Sequence, residues 1–417
     1  MKKSISIILA ALLLFSGCVF PGTGLNAGAI EVENVEMEGN EAPDVTETPA
    51  IAETPVEETL QKTLSFRADG TFKIMQINDT QDVGNCNKKL IEFLNAALDL
   101  EQPDLVVFNG DQLSDVYPAP SLADYTKAIA NIVEPLQARG IPFLVTLGNH
   151  DHDRAATVDE AGQYAIYAAY ENCYAVDNGP DPFTYNVPVM TSDGSGIAFN
   201  IYMMDTNNKD ASGSNYTGIT ADQLAWYNSR SAELRAGNDG VPVLSLLFQH
   251  VPVKEIYSLL RECDYSEDGA VYSRRDKKWY VVDETKATGT MGEAPCSEAF
   301  ETITGQYEAW LANGDIMGAF FAHDHVNNFV GTTDDGIYMG YNGGTGFRSY
   351  GNGDQRSVRI FELHEDDVEN YTTRLLTYAD ATGNSLAYGT VSDVISPAIL
   401  TTIMKTVYSI FSRIKGA

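Results

Sequence analysis

Positive charge is scarce in this chain. Lys and Arg number 27 against 58 Asp and Glu, a formal net charge of -31 over 417 residues. A nucleic-acid binder needs a basic face for the phosphate backbone, so no nucleic acid is expected as a partner. An anionic substrate would also need a local positive centre, because the field of the whole protein repels it. Cysteine is sparse too, at five residues with no CxxC spacing, which argues against a structural zinc site. There is no P-loop, no dinucleotide glycine fingerprint after a strand and no GxSxG elbow. Histidine numbers only six, yet two stand one residue apart in FFAHDHVNNF, Phe320 to Phe329.

What is present begins with a short leader. Lys2 and Lys3 precede an apolar stretch, Ile5 to Phe15, too short to span a bilayer comfortably, and then Ser16-Gly17-Cys18. Residues 1–17 resemble a bacterial lipoprotein signal with Cys18 as the lipidated residue, although Phe15 stands where that pattern usually has Leu. An ordinary secretory signal with a chance cysteine is the alternative; both put the mature chain outside the cytoplasm. Residues 18–62 read as a disordered acidic tether. The stretch from Glu31 to Leu60 holds ten acidic residues and no basic one, without apolar periodicity. With Cys18 set aside, Cys86, Cys173, Cys263 and Cys296 remain. Cys263 and Cys296 flank one long polar segment and are the pair a bridge would join; isolated buried thiols are equally open.

The folded region, 63–395, carries apolar runs of strand length that end in polar, metal-competent clusters. FKIMQI runs into Asn78-Asp79-Thr80-Gln81, LVVFN into Gly110-Asp111, and PFLVTL into Gly148-Asn149-His150-Asp151. VLSLLF runs into Gln249-His250, and IMGAFF into Ala322-His323-Asp324-His325. Helical stretches, KKLIEFLNAALDLE and LADYTKAIANIVEPLQARG, separate the first three. Such alternation builds a largely parallel sheet, whose ligand site collects at the carboxyl ends of its strands. Asp79, Asp111, Asn149, His150, His250, His323 and His325 therefore converge, with Gln81 beside them. Carboxylate, imidazole and amide oxygen together suit Mn, Fe or Zn. They are too many for one ordinary ion and about right for two ions sharing a carboxylate.

The series Asp79-x-Gln81, Gly110-Asp111, Gly148-Asn149-His150-Asp151, Gln249-His250 and His323-x-His325 resembles the calcineurin-like metallophosphoesterase superfamily, over roughly Phe72 to Gly353. ITADQLAWYNSRSAEL, HVPVKE, HDHVNNFVG and GYNGGTGFRSYG are similar to its purple-acid-phosphatase-like single-domain branch. The resemblance implies an α/β fold: two mixed β-sheets packed face to face with flanking helices, a four-layer sandwich. It implies two-metal-dependent hydrolysis of phosphate esters by a metal-bridging hydroxide. Asp111 would bridge both ions. Asp79 and His325 would bind the first, with Gln81 at the place of a third ligand. Asn149, His250 and His323 would bind the second. His150 would meet the substrate phosphate and serve as general acid to the leaving group or stabilise the developing charge, with Asp151 orienting it from behind. The family's first motif is usually Asp-x-His. Gln81 is a weaker donor, so the first site is expected to be looser, to prefer a harder ion or to be degenerate.

Other residues read more plainly. His152 and Asp153 are expected in a solvent-facing loop, His364 in an exposed acidic run, and Asn207 and Asn208 in a turn. Arg348 is open between phosphate contact and structural ion pair. The segment between His250 and Phe320, with YSRRDKKWY, reads as an insertion over the site that shapes substrate choice. GIYMGYN, SVRIFEL and TTRLLTY are expected to complete the second sheet as antiparallel strands. Residues 396–417 place Leu400, Ile403, Val407, Ile410, Phe411 and Ile414 at helical spacing, with Lys405, Arg413 and Lys415 as the only charges. That amphipathic helix packs on the domain or lies on the membrane surface beside the anchor.

Overall fold

The first strand of the core, Thr71–Ile77, buries both faces, and its side chains go alternately to two different cores. Phe72 and Ile74 face one, Met75 and Ile77 the other. Leu105–Asn109 repeats the pattern, with Leu105 and Val107 opposed to Val106 and Phe108. Period-2 alternation with apolar residues on both faces belongs to a sheet covered on both sides. The computed structural model describes residues 62–113, 121–153, 158–213, 215–296, 304–386 and 397–415. The signal segment and nearly all of the tether lie outside these residues.

One sheet has five strands in the order Thr372–Thr377, Ser357–His364, Thr71–Ile77, Leu105–Asn109, Phe143–Thr146. The other has eight: Leu64–Ser65, Tyr185–Met190, Ile197–Met204, Ser245–Gln249, Ile316–Phe321, Tyr338–Tyr341, Val330–Thr332, Ala287–Thr288. Between the sheets, Ile74, Val107 and Leu144 meet Ile201, Leu246, Phe248 and Phe320. Helices Lys88–Glu101, Leu122–Gln137 and Glu160–Ala168 cover the outer face of the five-stranded sheet with Phe93, Ile132 and Tyr167 among others. Helices Ala221–Gly237 and Gln306–Asn313 cover the eight-stranded sheet with Tyr227 and Trp310. Helix, sheet, sheet, helix is the four-layer sandwich expected.

The helices start where side chains absorb free backbone donors. Asn87 accepts from Lys89 N, and Ser121 with Asp124 and Thr220 with Gln223 form capping boxes. Within each sheet the site-bearing strands run parallel, 71–77 with 105–109 and 143–146, and 197–204 with 245–249 and 316–321. Buried amides join the two sheets near those carboxyl ends. Asn109 Nδ2 donates to Gln249 O and to Phe320 O, both at 3.1 Å, and Gln76 Nε2 donates to Phe321 O at 3.1 Å.

Two expectations change. Tyr338–Tyr341 joins the eight-stranded sheet, pairing parallel with 316–321 and antiparallel with 330–332. Ser357–His364 and Thr372–Thr377 instead complete the five-stranded sheet, antiparallel beside 71–77. The chain between them crosses the carboxyl edge, where Thr345 N and Gly346 N donate to Asn78 O and Asp79 O. Second, Cys86, Cys173, Cys263 and Cys296 are all free thiols, so no bridge joins Cys263 to Cys296. Each is fixed by its own backbone hydrogen bond, Cys263 N to Trp279 O and Cys296 N to Asp324 Oδ2. The insertion folds as a sheet of its own, Leu260–Glu262, Lys278–Val282 and Val271–Ser273. Helix Pro397–Lys415 packs there, with Tyr408 edge-on to Trp279 at 5.5 Å and Lys405 Nζ on Glu267 O at 3.1 Å. Ile403 and Ile410 on that helix stay exposed. No helix among the described residues is long and apolar enough to cross a membrane.

Candidate metal centre

Each candidate ligand sits in the first residues after a strand, where the chain turns sharply. Asp79, Gln81, Asp111 and His323 have φ of 51°, 37°, 53° and 72°, a left-handed region that L-residues other than glycine seldom adopt. Strained backbone of this kind gathers at functional sites. Crowding explains the flanking glycines. A Cβ on Gly110 (φ 85°) would lie 2.5 Å from His250 Nδ1, and one on Gly148 would lie 2.3 Å from Asp111 Oδ1. Only glycine lets these loops close on the ligands.

Each carboxylate has one oxygen anchored and one presented. Asp79 Oδ2 accepts from Asn78 Nδ2 at 2.6 Å and His323 N at 3.2 Å, while Oδ1 lies 3.1 Å from His325 Nε2. Asp111 Oδ1 accepts from His150 N at 2.8 Å, while Oδ2 lies 3.2 Å from His250 Nε2. The imidazoles are held the same way. His250 Nδ1 meets Asn109 O at 3.0 Å, and His325 Nδ1 meets Tyr350 O at 2.9 Å. A proton on each Nδ1 serves those carbonyls and leaves the Nε2 lone pairs facing the carboxylates. His323 Nδ1 completes the cluster 3.3 Å from His250 Nε2.

Acceptors at such distances repel unless a proton or a cation lies between them. Asp79 Oδ1 and Asn149 Oδ1 are buried without a hydrogen-bond partner. Two triads can each hold an ion, Asp79 with Asp111 and His325, and Asp111 with His250 and His323. Asp111 belongs to both. The donor set and its unpartnered oxygens thus fit two ions of intermediate hardness. Protons otherwise take that role: burial lowers His250, but the Asp111 and Asp79 charges outweigh it and raise the ring to about 10. Burial and then the His250 charge lower His323 to about 3, so this ring stays a neutral donor.

Gln81 reaches the cluster with its amide nitrogen turned inward, 3.1 Å from Asp111 Oδ2 and 3.4 Å from His325 Nε2. In this orientation it donates to the shared carboxylate instead of ligating; a half-turn of the amide exchanges the two roles. His150 stands at the rim with Nδ1 2.9 Å from Asp153 Oδ2. Asp151 does not stand behind His150. Its oxygens accept from Gly148 N, Leu113 N and Gln112 N at 2.9, 3.0 and 3.3 Å and tie two motif loops together. Helical geometry is the reason: within Asn149–His152 the third residue turns back over the helix start, whereas residue 153 shares the face of residue 150. Burial and the Asp111 charge push Asp151 up to about 6.

His152 is not in a solvent-facing loop. Its Nε2 lies 2.9 Å from Asp205 Oδ1 and its Nδ1 3.4 Å from Glu160 Oε1, an ion-paired clasp behind the His150 helix. Asp153 is likewise engaged, accepting from Asn208 Nδ2 at 3.1 Å, and Asn208 also reaches Asn149 O at 3.3 Å. Arg348 forms the structural ion pair, with Asp82, and donates to Asn85 O. Sequence reasoning missed Tyr350. Its ring stacks on His325 at 4.2 Å and 3°, its carbonyl holds His325 Nδ1, and its hydroxyl donates to Glu293 Oε1 at 2.8 Å. Tyr216 packs edge-on against His323 at 4.8 Å. Tyr350 lies within GYNGGTGFRSYG, but neither tyrosine has metal-ligand spacing, so nothing local marks its contact with a histidine.

Two packed sheets carry two histidine–carboxylate triads where their strands end, a candidate site for two metal ions. Residues 72–327 match the family model described as calcineurin-like phosphoesterase, and the chain belongs to that family. "Probable inactive purple acid phosphatase 14" of Arabidopsis thaliana is 27% identical over 340 residues, covering 72% of this chain and 77% of that protein. "Phosphatase DCR2" of Saccharomyces cerevisiae is 23% identical over 359 residues, covering 77% of this chain and 56% of that protein. Among solved structures, a dimetal phosphatase from Danio rerio aligns with TM-score 0.41 and 11% identity over 74% of this chain and 99% of its own.

Proposed function

We propose that the chain hydrolyses phosphate esters at this double cluster, with one ion held by Asp79, Asp111 and His325 and a second by Asp111, Asn149, His250 and His323. The observation that carries the reading is the convergence of inward-facing carboxylate oxygens and imidazole nitrogens on one shared carboxylate, Asp111, beside the unpartnered Asp79 Oδ1 and Asn149 Oδ1. Two bound ions of the Mn, Fe or Zn type would neutralise the ester phosphate and lower the pKa of an attacking water.

The remaining work belongs to the chain. Asp153 at Nδ1 fixes the orientation of the His150 ring. The proton on Nε2 then passes to the leaving oxygen as its bond to phosphorus breaks, while a water oxygen bonds to phosphorus. The products are a phosphate and an alcohol from a monoester, or a phosphomonoester and an alcohol from a diester. Asp151, Gln112 and Leu113 keep the Asp111 and Asn149 loops in register. The substrate is a small-molecule or surface phosphate ester. The N-terminal sequence alone supports placing the enzyme outside the cytoplasm, anchored by a lipid on Cys18.

A second reading, a metal- or phosphate-binding lipoprotein without turnover, is favoured by Gln81 and by the words "probable inactive" in the names of several relatives. Purified protein assayed with an aryl phosphomonoester and an aryl phosphodiester, with Mn, Fe and Zn added in turn, separates the two. Turnover of one ester supports the enzyme. No turnover of either by folded, metal-loaded protein would leave the binding lipoprotein.

A further inference from the structure

Glu293 belongs to the stretch between His250 and Phe320, a few residues after strand Ala287–Thr288, and it is fastened beside the metal centre. Gly292 N and Glu293 N both donate to Asn327 Oδ1, at 2.9 and 3.1 Å. The Glu293 carboxylate accepts in turn from the backbone of Val326. The approach is close: a Cβ on Gly292 would lie 2.7 Å from Val326 Cγ2. Val326 and Asn327 directly follow His325, so the insertion is tied to the loop that carries a candidate ligand.

Tyr350 bridges Glu293 and His325. Its hydroxyl donates to Glu293 Oε1 at 2.8 Å, and its ring lies on the His325 ring at 4.2 Å and 3°. Its carbonyl accepts from His325 Nδ1 at 2.9 Å. One residue thus sets both the plane of the imidazole and which nitrogen it turns to the carboxylates. His325 Nε2 is left 3.1 Å from Asp79 Oδ1. The bridge is itself anchored, because Arg356 Nη2 donates to Ser349 O at 2.8 Å. His250 has a comparable carbonyl in Asn109 O, but the ring beside it, His323, stands edge-on at 87°.

We infer that Tyr350, braced by Glu293, is the positioning residue of the first ion's site, and that the insertion acts on the reaction through it. The inference rests on the two-ion reading of the cluster. In that reading His325 is the one imidazole of the first triad, and Gln81 beside it turns a nitrogen inward. A triad with one imidazole depends on having that ring already aimed, because a ring free to turn loses its freedom each time an ion binds. The stacked phenol removes that freedom beforehand.

Calorimetric titration of metal-stripped protein with Mn(II) tests this. The intact chain is expected to take up two ions. Tyr350→Leu weakens one of them by about 10- to 100-fold, the range for losing a partner that orients a ligand, and leaves the other unchanged. Tyr350→Phe keeps the ring and the carbonyl but loses the bond to Glu293, so it falls between, and Glu293→Ala matches it. Equal weakening of both ions in Tyr350→Leu, as a general loss of structure would give, overturns the proposal, and so does no weakening. If Tyr350→Leu does not fold, unchanged affinity in both Tyr350→Phe and Glu293→Ala overturns it. Uptake of fewer than two ions by the intact chain means that the two-ion reading fails, and imidazole proton exchange in the metal-free protein, followed by NMR, still decides the clamp. The His325 Nδ1 proton is expected to exchange faster in Tyr350→Leu, or in Tyr350→Phe if that variant alone folds, while the His250 Nδ1 proton on Asn109 O keeps its rate. Unchanged exchange at His325, or an equal rise at His250, refutes the clamp.

Discussion

His150 Nδ1 and Asp153 Oδ2 lie 2.9 Å apart, three residues from each other along GNHDHD. The spacing puts them on one helical face and turns Asp151 the other way. Asp153→Asn is therefore expected to lower kcat by about 10- to 100-fold, the range for losing the partner that orients a functional histidine. Metal content stays near normal, as it does in His150→Ala, where turnover is lost. Asp151→Asn acts through stability instead, costing about 1–3 kcal/mol because one of three buried backbone donors loses its acceptor. Steady-state kinetics, elemental analysis and denaturant unfolding separate the two aspartates. Loss of metal from the His150 variant would mean that His150 is itself a ligand.

Gln81 turns its amide nitrogen towards Asp111 and His325, so in the proposed site Asp79, Asp111 and His325 would hold the first ion. Gln81→His places an imidazole donor at that position. The variant is expected to retain more metal per chain after dialysis against metal-free buffer, measured by elemental analysis, with a corresponding rise in activity without added ions. Unchanged retention would show that Gln81 already ligates through its oxygen.

The ligands were legible because each stands directly after a strand-length apolar run. Once LVVFN, PFLVTL and IMGAFF are strands, Asp111 and Asn149 stand at the carboxyl ends of one sheet and His323 at the carboxyl end of the other. The supports were not legible. Tyr350 reaches His325 from 25 residues away, and Glu293 reaches Tyr350 from 57. Such pairings depend on how the edge loops fold over one another, and no periodicity records that. The division of the last strands between two sheets failed for a related reason. SVRIFEL reads equally well as a strand in either sheet, and the crossing of Thr345 and Gly346 over Asn78 and Asp79 decides between them. His152 looked like a loop residue because its partners, Glu160 and Asp205, come from two later segments.

The same clasp gives a stability prediction. Burial lowers the His152 pKa, but Asp205 and then Glu160 outweigh it and raise the ring to about 11, above its ordinary 6.5. A folded-state pKa above the unfolded one means stabilisation that is fully present below pH 6.5 and declines as pH rises towards 11. His152→Gln removes that contribution. The stability gap between the intact protein and the variant is expected to be widest at pH 6 and to narrow steadily by pH 9. Denaturant unfolding at a series of pH values measures it. A gap that widens with pH would mean that His152 is neutral in the fold.

Asn109 links the sheet edge to the site through two different groups. Its side-chain nitrogen joins the sheets at Gln249 O and Phe320 O, whereas its backbone carbonyl holds His250 Nδ1. Asn109→Ala removes only the first. It leaves two buried carbonyls without this donor, which costs about 1–3 kcal/mol. Phe248, directly before Gln249 in the facing sheet, packs between the sheets at 6.0 Å from Phe320 and 5.6 Å from Phe361. Phe248→Ala leaves a cavity there and is expected to cost about 3–5 kcal/mol. Both variants should unfold at lower denaturant, Phe248→Ala the lower. Asn109→Ala should keep its metal content, because the carbonyl that orients His250 belongs to the backbone. Metal loss in that variant would show that the ligand geometry depends on the inter-sheet clip as well as on the carbonyl.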